Sequence, residues 1–124
     1  ADLTAEAARA GAKLIAFPET WLPGYPWRIW TGAPAEGVGF LPEYHENSMA
    51  AGSPQMKRLQ QICHDNAISM VMGYSERDGG SRFMSQVIIG EDGTILPMWN
   101  APSVAKVTGR TCWWSTARLA AWAL

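Results

Sequence analysis

The stretch GAKLIAFPETWLPGYPW (residues 11–27) contains the most informative change of pattern in this chain. Residues 13–17 are a short, mostly apolar run, which favours a buried β-strand. Pro18 is predicted to end this strand and to leave Glu19 just beyond its C-terminal end. In layered α/β folds, functional sites are usually built from the loops that follow strand ends. Glu19 is therefore the first candidate for a functional residue.

A carboxylate in the position of Glu19 has two interpretations. Partial removal from water raises the pKa of a carboxyl group, which equips it for proton transfer near neutral pH. Alternatively, Glu19 only solvates a surface loop, and spacing alone favours this second interpretation. The residues around Glu19 are the evidence that distinguishes a catalytic role from a solvating one.

The segment that follows is rich in proline, glycine and tryptophan, and residues 20–42 are predicted to form one long loop. A loop of this length inside a compact domain is usually functional or disordered. Disordered segments contain few aromatic residues, so the aromatic side chains here argue for a packed functional loop. Trp21, Tyr25 and Trp27 are candidates for the wall of a substrate pocket, and Trp30 completes the cluster. The same side chains can pack as core, and both interpretations stay open.

Elsewhere the chain alternates between helical and extended patterns. An Ala-rich segment predicts a helix over residues 3–12, with Gly11 placed to end it, and Ser53-Pro54 predicts the start of a helix that ends near Asn66. The remaining predicted elements are a short helix over 42–50, strands over 68–74 and 83–89, a loop over 75–82, a turn at 91–93 and a strand opening at Thr94. This order indicates a layered α/β or α+β architecture.

The cysteine and histidine residues do not form a recognisable reactive pattern. Cys63 lies on the apolar face of the helix that begins at Ser53-Pro54, so it is predicted to be a buried small hydrophobe rather than a nucleophile. His45 and His64 have no third ligand in helical register, so solvent or capping roles are expected and no metal site is predicted.

Composition excludes several classes of protein. With 124 residues, 48% hydrophobic and 17% charged, the chain is predicted to be one folded domain rather than a disordered segment. A net charge of −1 does not favour general electrostatic binding to nucleic acid or anionic lipid, so neither partner is predicted. No apolar run is long enough for a membrane span, and no leader pattern opens the chain. The expectation is a soluble, cytoplasmic protein.

Residues from about 6 to 96 resemble the N-terminal part of a nitrilase, a member of the carbon–nitrogen hydrolase superfamily. Residues 11–27 resemble the segment that carries the first catalytic residue of that family, and its Phe-Pro-Glu glutamate falls on Glu19. The segments Asn47-Ser48, Ser53-Pro54, 73–81 and 86–93 resemble those that follow, in the same order and at similar spacings.

The resemblance implies a fold, a reaction and a catalytic set. The fold is α/β, here a partial α-β-β-α sandwich of the carbon–nitrogen hydrolase type. The reaction is hydrolysis of a small-molecule nitrile to a carboxylic acid and ammonia by a Cys–Glu–Lys triad, without metal or organic cofactor. Glu19 is the implied base that activates the thiol and then water, and the intact parent enzyme is expected to be a homo-oligomer.

The resemblance stops after residue 96. The family lysine is expected shortly after the Asp92-Gly93 turn, but no lysine occurs before Lys106, and its context does not match. Cys112 is followed by Trp113 and Trp114 without the expected glutamate and comes too early, so it is not assigned. Of the triad only Glu19 is identified, and the chain alone is predicted to be inactive.

The chain is predicted to consist of two unlike pieces, residues 1–96 and residues 97–124. No acidic residue follows Asp92, whereas four of the seven tryptophans lie beyond it. A frame-shift explains this change: reading across the codon boundaries of Met98-Trp99 and Trp99-Asn100 yields Val and Glu. Permitted codons further on give sequence that resembles a nitrilase beyond its lysine segment. Residues 97–124 are thus an atypical tail, interpreted as a frame-shift product.

Two alternatives to a nitrilase remain open at this point. One is another carbon–nitrogen hydrolase, such as an amidase or a cyanide-degrading enzyme. The other is a non-catalytic binding or oligomerisation module whose tryptophan-rich tail docks a partner, and deletion of residues 97–124 distinguishes it.

Overall fold

The computed structural model describes residues 1–33 and 38–96, apart from the side chain of Ile29. Its elements follow one another as helix α1 (Asp2–Arg9), strand β1 (Leu14–Leu22), helix α2 (Arg28–Thr31), a 3-10 turn (Val38–Phe40), helix α3 (Leu41–Asn47), helix α4 (Pro54–Asn66), strand β2 (Ser69–Asp78) and strand β3 (Ser81–Ile89). The predicted tail, 97–124, and the boundary at residue 96 lie outside the described residues.

The sheet has the order β1-β2-β3, with β1 parallel to β2 and β2 antiparallel to β3. Alternate residues of β2, including Met70 and Met72, point to one face, where their partners on β3 are Ile89 and Val87. These side chains form the core with buried residues of α4, and α1 packs beside α4. The described residues thus form one helical layer on one sheet. The predicted α/β fold class is confirmed.

Helix α4 begins and ends as its sequence predicts. Ser53 caps it, because its hydroxyl oxygen accepts a hydrogen bond from the backbone N–H of Met56 at 3.3 Å. Pro54 occupies the first turn, where its missing N–H costs nothing. At the other end Ala67 adopts the left-handed conformation with φ +47, and its N–H bonds to the carbonyl of His64. The predicted helix from Ser53-Pro54 to Asn66 is confirmed.

Two other helices and a turn are also close to their predictions. The helix predicted over residues 3–12 is α1, and Gly11 follows it with φ +88. The helix predicted over 42–50 is α3. Gly93 has φ +79 in the turn at 91–93, where a side chain would also meet the carbonyl of Gln60.

The prediction of a buried strand that Pro18 ends is wrong. β1 continues through Pro18 to Leu22, and Leu14 at its start is 56% exposed. Among the described strands β1 lies at an edge and pairs only with β2. An edge strand tolerates a proline, because one side of its backbone needs no ladder partner. The apolar run was informative about extended structure but not about burial.

The prediction of a loop over residues 75–82 is also wrong. β2 extends to Asp78 and β3 begins at Ser81, so only Gly79 and Gly80 form the turn of a hairpin. The residues near the hairpin tip are mostly polar, so they lack the apolar pattern from which a strand is predicted. Likewise, residues 20–42 include the end of β1, α2, the 3-10 turn and the start of α3 rather than one loop. After Thr94 the structure describes a single bridge, between Ile89 and Ile95.

Candidate functional site

Glu19 lies in an irregular part of β1 rather than after it. The pairing with β2 is regular up to Phe17 opposite Met72 and resumes only with Leu22 opposite Tyr74, so residues 18–21 bulge from the ladder. Bulges re-aim side chains and are common beside active sites. The side chain of Glu19 is exposed. Of the two interpretations of Glu19, residues 1–33 and 38–96 do not supply the partial removal from water.

Gly73 on β2 allows the bulge to lie close to the sheet. A Cβ atom built on Gly73 would lie 2.8 Å from the Cα of Glu19 and would also overlap the carbonyl oxygen of Pro18. These are backbone atoms, which cannot rotate away as a flexible side chain can. The absence of a side chain at Gly73 thus sets the position of the Glu19 backbone.

The aromatic candidates divide into two groups. The rings of Tyr25 and Trp27 pack at a centroid distance of 4.7 Å, and the indole N–H of Trp30 donates to the Tyr25 hydroxyl at 3.1 Å. Trp21 instead packs against Phe17 at 5.7 Å. Trp27 and Trp30 are 68% and 61% exposed, so the described residues do not bury them as core. Their role as the wall of a substrate pocket stays a prediction.

Trp21 also lines a cleft of about 290 Å³ between the sheet and the helical layer. The cleft is bounded by the start of α1, by Phe17 and Leu22 on β1, and by apolar side chains of α4 and β2. Neither Glu19 nor the pair Tyr25 and Trp27 lines it. Of the three pocket candidates, only Trp21 lines this cleft, and Glu19 does not.

The aromatic segment is tied to the sheet through Tyr44 on α3. The Tyr44 hydroxyl donates to the carbonyl oxygen of Gly24 at 2.8 Å, and the guanidinium of Arg82 lies 5.4 Å from the centre of the Tyr44 ring. Burial is the largest influence on the pKa of Tyr44 and raises it. The hydroxyl therefore keeps its proton and can donate a hydrogen bond. At the end of α3 the Ser48 and Ser75 hydroxyls share a buried hydrogen bond of 2.9 Å.

Cys63 and the histidines have the structural roles that the sequence suggests. Cys63 is fully buried on α4, and this burial raises the pKa of its thiol, which makes it unsuitable as a nucleophile. His64 is exposed and contacts the carboxylate of Asp65 at 3.4 Å, whereas His45 is partly exposed on α3. Residues 1–33 and 38–96 contain no group of three or more side chains that could hold a metal ion.

Sequence reasoning missed Thr20, Gly73 and Tyr44. A glycine inside a predicted strand signals close backbone approach, so Gly73 had a usable signal. Thr20 and Tyr44 had no such signal, because an unusual backbone angle and a hydrogen bond across 20 residues of sequence are not visible in the local pattern.

No helix in the described ranges is both long enough and apolar enough to cross a membrane.

A helical layer on a mixed sheet, with an exposed glutamate on a bulged strand, defines a layered α/β architecture. The chain belongs to the carbon–nitrogen hydrolase family, whose sequence model matches residues 1–110. The match includes the Glu19 segment and the whole described sheet. It confirms the resemblance stated from the motifs.

Curated relatives lie within the nitrilase branch of this family. An aliphatic nitrilase from Rhodococcus rhodochrous is 51% identical over 92 residues, which cover 73% of this chain and 24% of the relative. A cyanide hydratase from Gibberella zeae is 42% identical over 95 residues, which cover 77% of this chain and 27% of the relative. The chain thus spans about a quarter of the length of these relatives.

A solved structure shows the same fold. A mutant of the Nesterenkonia AN1 amidase from the nitrilase superfamily matches with a TM-score of 0.50 and 26% identity. The match covers 77% of this chain and 32% of the amidase chain. The predicted partial sandwich therefore corresponds to about a third of a solved member of the superfamily.

Proposed function

We propose that this chain is the glutamate-bearing part of a nitrilase-type hydrolase, which converts a nitrile to a carboxylic acid and ammonia. The observation that carries the proposal is the 51% identity to an aliphatic nitrilase, together with a family match that includes Glu19. The bulge in β1 and the exposed carboxylate support it, because a catalytic base must reach a substrate.

In this proposal Glu19 moves protons between the other reacting groups. It takes the proton from a cysteine thiol, and the thiolate attacks the nitrile carbon. A lysine ammonium stabilises the negative charge that develops on the nitrogen. Glu19 then activates a first water, whose addition lets ammonia leave and leaves the acyl group as a thioester on the cysteine. It next activates a second water, whose attack releases the carboxylic acid and returns the thiol. The cysteine and the lysine belong to the remainder of the complete protein.

The aromatic side chains are the proposed contacts to the organic part of the substrate. Trp21 lies in the bulge itself, and Tyr25 and Trp27 follow it in the chain with their rings packed against each other. Aromatic surfaces of this kind bind apolar groups of small molecules. The same proposal includes a cytoplasmic location and a homo-oligomeric complete protein. It also places the end of the hydrolase-like part of this chain at residue 96. None of these requires a cofactor, a nucleic acid or a membrane.

A second candidate activity is hydration of cyanide. It is favoured by the cyanide hydratase from Gibberella zeae, which is 42% identical to this chain. The two activities differ in their products, because a hydratase adds water and keeps nitrogen in an amide. Measuring ammonia and amide from the same reaction distinguishes them.

The experiment replaces the aligned segment of the Rhodococcus rhodochrous aliphatic nitrilase with the corresponding residues of this chain. This nitrilase chimera supplies the missing cysteine and lysine. We expect it to release ammonia from an aliphatic nitrile, and we expect Glu19→Gln to lower kcat by about 10²- to 10⁴-fold, the usual contribution of a general base. The 124-residue chain alone is expected to show no turnover.

Glu43→Gln is the matched control, since Glu43 is an exposed glutamate on α3. It should leave the rate of the chimera unchanged. A folded chimera without activity, or one in which both glutamine variants behave alike, contradicts the proposed function.

A further inference from the structure

Thr20 has a backbone conformation that is unusual for threonine. Its φ is +46, in the left-handed region, where a β-branched side chain crowds its own backbone. Such strain persists only where the surrounding structure holds the residue in place, and it is concentrated at functional sites. Here the surrounding structure is the bulge between Phe17 and Leu22, held close to Gly73.

The hydroxyl of Thr20 lacks a partner that its burial requires. Thr20 is 2% exposed, and its Oγ1 is the one buried side-chain polar atom without a hydrogen bond among residues 1–33 and 38–96. Ser48 and Ser75 are similarly buried, and their hydroxyls bond to each other at 2.9 Å. A buried polar group without a partner destabilises the fold. Within residues 1–33 and 38–96 the hydroxyl of Thr20 therefore has no partner.

Thr20 lies between two exposed side chains, Glu19 and Trp21. The left-handed backbone at Thr20 interrupts the strand geometry at the point where the side chain of Glu19 leaves the sheet. An ordinary extended residue at position 20 would change the direction of Glu19 relative to Trp21. The strain and the unpaired hydroxyl thus occur at one residue, next to the proposed catalytic base.

We propose that Thr20 is a positioning residue of this site, an inference that rests on the proposed function. Its backbone directs Glu19, and its hydroxyl hydrogen-bonds to a polar group that is present only when the site is complete. That group is a polar atom of the substrate or of the remaining protein, and the experiment distinguishes these two sources.

The first arm uses the 124-residue chain and measures unfolding by urea. Thr20→Val keeps the branched shape and removes only the unpaired hydroxyl, so the unfolding equilibrium constant should fall by about 5- to 100-fold. Ser75→Ala is the matched contrast, because it breaks a satisfied buried pair, and the constant should rise by about fivefold. A rise for Thr20→Val like that for Ser75→Ala overturns the proposal, since the hydroxyl would then be paired within the chain.

The second arm uses the nitrilase chimera and measures kcat and KM. Thr20→Val should lower kcat/KM by about tenfold, as expected for one lost hydrogen bond, and Thr20→Ser should restore most of it. A rise in KM identifies the substrate as the partner. A fall in kcat at constant KM identifies a group of the protein.

The two proposals fail differently. If the chimera folds but is inactive, the proposed function fails, and the first arm still decides whether the hydroxyl is unpaired in this chain. If the chimera is active but Thr20→Val has the kcat and KM of the parent chimera, the positioning role is wrong while the proposed function stands.

Discussion

The hairpin core and the bulged edge of this molecule use apolar side chains in opposite ways. In the hairpin core, defined as β2, β3 and α4, Met70, Cys63 and Ile89 are at most 1% exposed. In the bulged edge, defined as residues 14–30, Trp21 and Trp27 are 47% and 68% exposed. Burial of apolar surface is the main source of stability, so the hairpin core holds the fold together. The bulged edge contributes less to folding and carries the proposed chemistry.

The backbone shows the same difference. Each position of β2 from Met70 to Asp78 pairs with one position of β3 without interruption. β1 keeps its register with β2 only over Leu14 to Phe17 and then bulges. A regular ladder satisfies its own polar groups, whereas a bulge leaves groups such as the Thr20 hydroxyl for other partners. Regular and irregular pairing thus separate the scaffold from the candidate site.

The largest expected effect is loss of core packing. Ile89→Ala removes a fully buried side chain from the hairpin core and should lower the free energy of unfolding by about 2–5 kcal/mol. Trp27→Ala, in the bulged edge, should change it by less than about 0.5 kcal/mol, because the ring is mostly exposed. Urea unfolding followed by circular dichroism at one chain concentration measures both. Equal losses of unfolding free energy in the two variants would contradict the difference between the hairpin core and the bulged edge.

The next effect tests the contact between the two regions. Gly73→Ala places a methyl group against the backbone of Pro18 and Glu19, so the bulge must move, at a cost of about 1–3 kcal/mol. Gly80→Ala is the matched control, since a Cβ there meets nothing within 4 Å. The same unfolding experiment measures the difference. If both alanine variants are equally stable, the bulge does not depend on Gly73.

A smaller effect concerns the cap of α4. Ser53→Ala removes the acceptor for the Met56 N–H and should cost about 0.5–2 kcal/mol. Gln55→Ala, at an exposed position of the first turn, should cost close to nothing. Unfolding of the two variants side by side measures the cap. An unchanged midpoint for Ser53→Ala would show that packing alone fixes where the helix begins.

The smallest expected effect is a pH dependence in the turn after β3. The backbone N–H and the hydroxyl of Thr94 donate to the Asp92 carboxylate and lower its pKa below the usual 3.8. A lowered pKa means that this contribution is complete above pH 3.8 and is lost as the pH falls through the lower folded value. The protection of the Thr94 amide from exchange, relative to its intrinsic rate at each pH, should therefore fall in strong acid, whereas Asp92→Asn should remove that pH dependence of the protection. Titration of Asp92 at its ordinary pKa would contradict the assignment.

Local chemistry explains which elements could be predicted. The cap at Ser53, the proline after it and the apolar spacing of Met56, Leu59 and Cys63 are properties of neighbouring residues, and the observed helix follows them. Gly93 is similar, since its turn needs a positive φ that glycine adopts without strain. The motif around Glu19 led to the correct family, although its own strand was misjudged.

The site was harder to predict because its geometry depends on distant parts of the chain. The exposure of Glu19 depends on β1 being an edge among the described strands. The position of the aromatic segment depends on the bond from Tyr44 to Gly24. Neither relation has a periodic pattern along the chain, so neither could be read from local spacing.

The amino-acid sequence alone determined the family, the helix α4, the parts of β2 and β3 nearest the core and the identity of Glu19 as the candidate base. These features depend on side-chain types and on spacings within a few turns or strand lengths. Only the tertiary structure decided that β1 bulges over Gly73, that Thr20 is strained with its hydroxyl unpaired, and that Trp21 separates from Tyr25 and Trp27. These features arise from contacts between segments that are far apart in the chain. The energy of such a contact depends on both segments, so the sequence of one segment does not predict it.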